Sequence, residues 1–327
     1  MSPSLEFTIP PTPAVVGQTF RGFGTTVGVW TTEPALLPPL VSFLEGWVVA
    51  VEAAASRFDV ASDISRVNAQ PGVAVRVSTI LVDAVQAALR MAAETGGLYD
   101  PTVGRNVIAA GYDRTFELVE TAGPGKDGAT RLGGGWTSVD VDEEASTVRV
   151  PAGFALDLGG SAKGWAVDRA LEVINRSLLP TSPGAGVCVS AGGDLGVTGR
   201  PPDGGWPVSI RERLDAASDA AEREVHLVRG AMATSGATQR QWRRDGKLAH
   251  HIIDPRTGVP GISTWALVTT FSDSCLTADT MATAAWLLGH QAPANLGRWG
   301  VGARLLDDSG TEVLVGDLAR WISVEAA

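Results

Sequence analysis

Cysteine, tyrosine and histidine are scarce in this sequence, at 2, 2 and 4 of 327 residues. Cys188 and Cys275 lie far apart and belong to no Cys-x-x-Cys pair, which excludes a disulfide framework or a zinc knuckle and predicts two buried thiols. Basic residues are in deficit too. Lys and Arg number 26 against 36 Asp and Glu, a formal charge of −10 with no basic run, which argues against a nucleic-acid backbone or an anionic membrane surface as partner. Long uncharged apolar runs are missing: the stretch Val41 to Ala55 is broken by Glu45 and Glu52, short of the roughly 18 uncharged residues of a membrane span. The first residues, Met1-Ser-Pro-Ser-Leu-Glu-Phe7, carry no basic region, no apolar region and no early cysteine, so a cytoplasmic protein with no membrane anchor is expected. What is abundant is glycine, 39 residues with no Gly-X-Y period, about 12% against a usual 7%. A hydrophobic share of 44% is ample for a sizeable core.

Residues 1–20 are Pro-rich and read as an irregular lead-in, followed by a strand-like piece over Phe23–Trp30. Apolar periodicity predicts a helix over Pro38–Ser56 and another over Ser78–Glu94, the second stopped by Gly96-Gly97. Val139 and Val141 alternate against Val148 and Val150 as a β-hairpin. A helix over Ala162–Ile174 follows, then strands near Gly186–Ser190, Pro207–Arg211, Glu224–Arg229 and Trp265–Phe271. A helix over Thr277–Leu288 and short strands near Ala303–Leu306 and Glu312–Val315 close the chain. Thr121–Gly135 and Arg200–Gly205 read as loops, and Arg213–Arg223 as a surface helix or an excursion. Strands that cluster rather than alternate with helices predict an α+β fold, with mixed or antiparallel sheets packed against helices. We expect a single domain over 21–327, with room for two lobes.

Four segments carry candidate chemistry. Asp157-Leu-Gly-Gly-Ser-Ala-Lys-Gly164 is a Gly-rich turn running into a helix with Lys163 in its first turn. It reads as a phosphate cradle or as a plain strand-to-helix turn, and it matches neither a Walker loop nor a dinucleotide fingerprint. Val189-Ser-Ala-Gly-Gly-Asp194 is an apolar strand ending in two glycines and a carboxylate, a ligand site or an ordinary turn. Asp279 and Thr283 stand four apart on the last long predicted helix and share a face, which suits either a hard cation or local capping. His250-His251-Ile-Ile-Asp-Pro-Arg-Thr-Gly258 holds two of the four histidines before a Pro-fixed turn. Adjacent residues of a strand face opposite ways, so at most one of the pair faces a site.

Seven motifs in order make the chain resemble the ApbE family of FAD:protein FMN transferases. They are Ser62-Asp-Ile-Ser-Arg-Val-Asn68; Tyr99-Asp-Pro-Thr-Val-Gly104 with Gly111-Tyr112; Leu156 to Asp168; Ser190-Ala-Gly-Gly-Asp194; Ala233-Thr-Ser-Gly236; His251 to Gly258; and Thr277 to Ala284. The resemblance implies an α+β fold with FAD in a cleft beside a Mg²⁺ site. It implies transfer of the FMN half of FAD, through a phosphoester, to a Thr or Ser hydroxyl of an acceptor protein, with AMP leaving. Carried over by position, the metal ligands are Asp279, Thr283 and the main-chain oxygen of Gly160. Phe23, Phe58, Gly111, Tyr112, Asp157, Lys163 and Ile253 contact FAD, and His251 is the catalytic base. Asp194 and Ser235 are ligand-side candidates without an assigned role. Two positions depart from the family pattern: Phe23-Gly-Thr-Thr stands for a frequent Met-Gly-Thr, and Phe58 for a tyrosine. The alternatives are a Mg²⁺-dependent FAD pyrophosphatase and a non-catalytic FAD-binding protein.

Overall fold

The computed structural model describes residues 15–119, 132–211, 222–237, 241–244 and 247–323. They fall into two compact units. One takes the described residues of Met1–Val48, Lys163–Gln239 and Thr264–Ala327, the other those of Val49–Ala162 and Arg240–Ser263.

The first unit is built on an eight-stranded sheet of β1 (Val16–Gly22), β2 (Thr25–Thr31), β3 (Gly186–Ala191), β4 (Asp194–Gly199), β5 (Ala231–Ser235), β6 (Leu267–Ser272), β7 (Gly302–Leu306) and β8 (Glu312–Val315). Their order in space is their order in the chain, and every neighbouring pair is antiparallel. The lead-in expected over residues 1–20 is therefore corrected from residue 16 onward. The hairpin partner β2 supplies the hydrogen bonds that order β1, a signal absent from β1's own sequence. Residues 1–14 lie outside the described residues, as do 121–131 of the expected loop and 213–221 of the expected surface segment.

Two hairpins of this sheet turn in two residues, and both need left-handed backbone at the tip. Gly192 and Gly193 supply it between β3 and β4, with φ of 63° and 98°, which sets Asp194 at the start of β4. Between β1 and β2 the tip is Phe23-Gly24, so Phe23 is a turn residue rather than the first residue of a strand. Its φ is 55°, a conformation that costs a side-chain-bearing residue about 1–3 kcal/mol.

Three helices pack on this sheet: α1 (Leu37–Ala55), α5 (Ala162–Ser177) and α6 (Cys275–Leu288). Alternation along β3 sends Val187 and Val189 to one face, where they meet Leu40, Leu44 and Val48 of α1 and Val167, Leu171 and Ile174 of α5. Cys188 points to the other face, packed with Leu195, Met232 and Phe271 against Trp206, Val208 and Leu227 of a small three-stranded sheet. The helix α6 packs against β5 and β6. Both cysteines are buried and unpaired, as expected. By length and composition Pro34–Ala55 is apolar enough to cross a membrane, with a mean hydropathy of 1.6 over an 18-residue window, although Glu45 and Glu52 interrupt it. In this unit its Leu40, Leu44 and Val48 are core residues.

The second unit holds α2 (Asp63–Ala69), α3 (Thr79–Glu94) and α4 (Gly104–Ala109), with the end of α1. The expected Val141–Val148 hairpin is present and is joined by Val75–Arg76 into three strands. Ser78 caps α3, its Oγ accepting from Leu81 N at 3.3 Å, and Leu81, Val85, Ala88 and Ala92 form the buried stripe. Ser62 caps α2 in the same way, at 3.2 Å from Ser65 N. The motif from Ser62 to Asn68 thus encodes a short helix, and its last residue brackets the main chain of Leu156 with bonds of 2.8 and 2.7 Å.

Candidate functional site

In the first unit the site begins where the first turns of α5 and α6 meet. Gly164 makes the approach possible, since a Cβ there would lie 2.7 Å from Cys275 O and 2.9 Å from Leu276 Cα. Asp168, one turn further along α5, accepts from Ser274 Oγ (2.7 Å), Cys275 N (2.7 Å) and Leu276 N (2.9 Å), pairing donors that a helix start leaves open. Burial lifts Asp168 above the ordinary carboxyl range, and these three donors oppose the shift. Ser274 is itself the local cap of α6, its Oγ accepting from Thr277 N at 3.2 Å. The capping is reciprocal, because Asp279 of α6 accepts the main-chain N–H of Gly164 at the start of α5.

Lys163 lies between two carboxylates, ion-paired to Asp194 and 3.7 Å from Asp279 Oδ2. Burial, reinforced by the charge of Asp194, pushes the Asp279 carboxyl up to about 7, against the pull of Lys163 and the Gly164 N–H. Asp279 Oδ2 is buried and has no hydrogen-bond partner among the described residues. One turn on, Thr283 Oγ1 lies 2.9 Å from Ser235 Oγ at the end of β5. A buried carboxylate oxygen without a hydrogen bond, with a hydroxyl one turn away, fits a hard cation. Among the described residues no group of three or more His, Cys, Asp and Glu side chains is placed to hold a metal ion, here or elsewhere. Asp279, Thr283, Lys163, Asp194 and Ser235, expected from separate motifs, are thus linked in one unit.

The second unit gathers another set. Arg57, which sequence reasoning missed, ties it together: its Nε pairs with Asp157 Oδ2 at 2.8 Å and its Nη1 donates to Tyr112 O at 2.7 Å. Its guanidinium lies 4.3 Å from the Phe58 ring centre and 4.7 Å from that of Tyr112. Phe58 and Tyr112 are 5.5 Å apart, and Tyr112 packs on Trp242 and Ile253 in a small core. Phe58 keeps 38% of its surface exposed. Gly111, at φ 105°, turns the chain from α4 into Tyr112. Asp157 Oδ1 accepts from Gly159 N at 2.7 Å, and Gly160 lies against the Tyr99 ring, whose hydroxyl donates to Ser161 Oγ at 2.6 Å. No local pattern marks Arg57, because its partners are distant in sequence.

The two histidines separate cleanly. His250 is buried, its Nδ1 accepts from Ile252 N at 3.3 Å, and its Nε2 is therefore the protonated nitrogen, donating to Gly261 O at 2.9 Å. Burial lowers its pKa, so the ring is held neutral with both nitrogens engaged in the fold. His251 is half-buried just past the strand Lys247–His250. The turn after it is held by Arg256 on the Asp254 carboxylate and by Asn106 Nδ2 donating to Gly258 O at 2.6 Å.

Residues 23–302 match the ApbE family. The chain is 30% identical over 249 residues to the FAD:protein FMN transferase of Treponema pallidum, covering 70% of this chain and 66% of that protein. It is 28% identical over 219 residues to the FAD:protein FMN transferase of Salmonella typhimurium, covering 66% and 61%. The match thus spans slightly under two thirds of the length of these curated relatives. Among solved structures, the ApbE protein of Thermotoga maritima superposes with a TM-score of 0.78 at 26% identity, over 92% of this chain and 97% of that one. The flavin transferase ApbE of Vibrio cholerae, at 23% identity and a TM-score of 0.75, covers 94% of this chain and 99% of its own and shares the fold.

Proposed function

Because this chain belongs to the ApbE family, we propose that it transfers the FMN half of FAD to a Thr or Ser hydroxyl of an acceptor protein. The acceptor oxygen forms a phosphoester with the FMN phosphorus, the P–O bond to the AMP half breaks, the hydroxyl proton passes to His251, and AMP leaves. The observation that carries this reading is the buried Asp279 Oδ2, without a hydrogen bond and 3.7 Å from Lys163, with Thr283 one helical turn away. Asp279 and Thr283 would hold a divalent cation such as Mg²⁺, which when bound supplies positive charge to the pyrophosphate. Lys163 adds a second positive charge, and the Asp194 carboxylate holds its ammonium in place. Of the histidines, the engagement of both His250 nitrogens supports His251 as the base. Gly160 keeps its role as a main-chain ligand on family correspondence alone.

On the flavin side the reading adds Arg57 to Phe58, Tyr112, Asp157 and Ile253. Arg57→Ala is expected to raise KM for FAD about tenfold, the equivalent of about 1.4 kcal/mol, while kcat changes less than about threefold. Steady-state AMP release over a range of FAD concentrations measures it, and an unchanged KM removes Arg57 from the flavin side.

Incubation with FAD, Mg²⁺ and a protein bearing an exposed Thr/Ser acceptor site tests the reaction. AMP that forms only with acceptor present, together with the mass of FMN on the acceptor, supports transfer. AMP without acceptor makes the protein an FAD pyrophosphatase, and no AMP under either condition leaves a binding protein.

A further inference from the structure

We propose that Asp168 is a positioning residue for the cation site, fixing the first turn of α6 and through it Asp279 and Thr283. The inference rests on the reading that these two residues hold a divalent cation. Ser274 caps α6 from within its own sequence at Thr277 N, and Asp168 pairs the Cys275 and Leu276 N–H groups that this local cap leaves open. A second acceptor, reaching the same turn from more than a hundred residues away, adds something a local cap cannot. It sets where α6 begins relative to α5, and so where Asp279 lies relative to Lys163 and Gly164. The junction has no slack: Asp168 accepts three hydrogen bonds of 2.7–2.9 Å, and Gly164 leaves no room even for a methyl group. The return bond from the Gly164 N–H to Asp279 closes the circuit between the helices. Within α6, Asp279 and Thr283 follow Cys275 on one continuous helix, so a displacement of its first turn is carried to both oxygen donors. Groups that orient metal ligands without touching the metal typically contribute 10- to 100-fold in affinity.

The test is direct Mn²⁺ binding to the full chain without FAD, followed by the electron paramagnetic resonance of free and bound Mn²⁺, with thermal unfolding recorded in parallel. Asp168→Asn replaces one acceptor oxygen with an amide donor and is expected to weaken Mn²⁺ binding at least tenfold at temperatures where the variant is fully folded. Ser274→Ala, which leaves Asp168 its two main-chain bonds, is expected to weaken it by about two- to fivefold and serves if Asp168→Asn fails to fold. A lower melting temperature with unchanged Mn²⁺ affinity in the folded variant would reduce Asp168 to a fold-stabilising residue and overturn the proposal. Failure of the unsubstituted protein to bind Mn²⁺ would instead overturn the cation reading beneath it.

Discussion

Asp279→Asn is expected to yield a folded protein that has lost its cation-dependent turnover, by about 10³-fold or more, because charge stabilisation at the phosphorus is worth several kcal/mol. The same substitution should not weaken the fold. Its carboxyl is raised to about 7 by burial and by Asp194, so its ionised form is disfavoured in the metal-free protein. For an acid whose folded pKa lies above its unfolded value, stability falls as pH rises from the ordinary carboxyl range through about 7. A neutral amide at this position removes that decline. The metal-free variant should therefore melt no lower than the unsubstituted protein at pH 8, while releasing no AMP. In the unsubstituted protein the cation needs the carboxylate, so apparent Mg²⁺ affinity should climb about tenfold per pH unit up to about 7 and level off above it. Initial rates against Mg²⁺ concentration at several pH values, with melting curves, read all of this. Turnover that persists with its Mg²⁺ dependence intact would remove Asp279 from the site.

His251→Ala carries the second large effect. Loss of a general base is expected to cost 10²- to 10⁴-fold in transfer, with FAD affinity within about twofold of the unsubstituted protein. His250→Ala is the contrasting variant. It breaks the bonds to Gly261 O and from Ile252 N and should cost roughly 1–3 kcal/mol of stability through groups left unpaired. Acceptor mass after a fixed time, FAD fluorescence titration and thermal unfolding separate the two. Transfer that survives His251→Ala would place the base elsewhere in the chain.

Much of the fold was legible because some signals are local. Periodicity and capping residues mark α1, α3 and α6 to within two residues at each end, and the Val141–Val148 hairpin shows in its alternation. Helix α4 has six residues and no side-chain cap, and β5 has five mostly small residues whose order comes from its neighbours β4 and β6, so neither is marked by its own sequence. At the candidate site Lys163, Asp194, Asp279 and Thr283 each read equally well as turn or capping residues by local spacing, and the order of seven family-like motifs is what singles them out. Residues whose partners are distant in the chain were out of reach: Arg57 pairs with Asp157, and Asp168 accepts from the start of α6, each about a hundred positions away.

The sheet of the first unit follows chain order, yet its strands are not neighbours in time. Val49–Ala162 is spliced between β2 and β3, and Arg240–Ser263 between β5 and β6. The hairpins β1–β2 and β3–β4 close over two residues each, whereas pairing Thr31 with Val187 encloses the main excursion. Loop-closure entropy rises only by about 0.6 kcal/mol per doubling of length, so the equilibrium burden of these detours is small. Their cost is kinetic. The central pairings wait for distant segments to find each other, and until they do, β2 and β3 each present an open apolar edge on a newly made chain, the kind of surface on which aggregation begins.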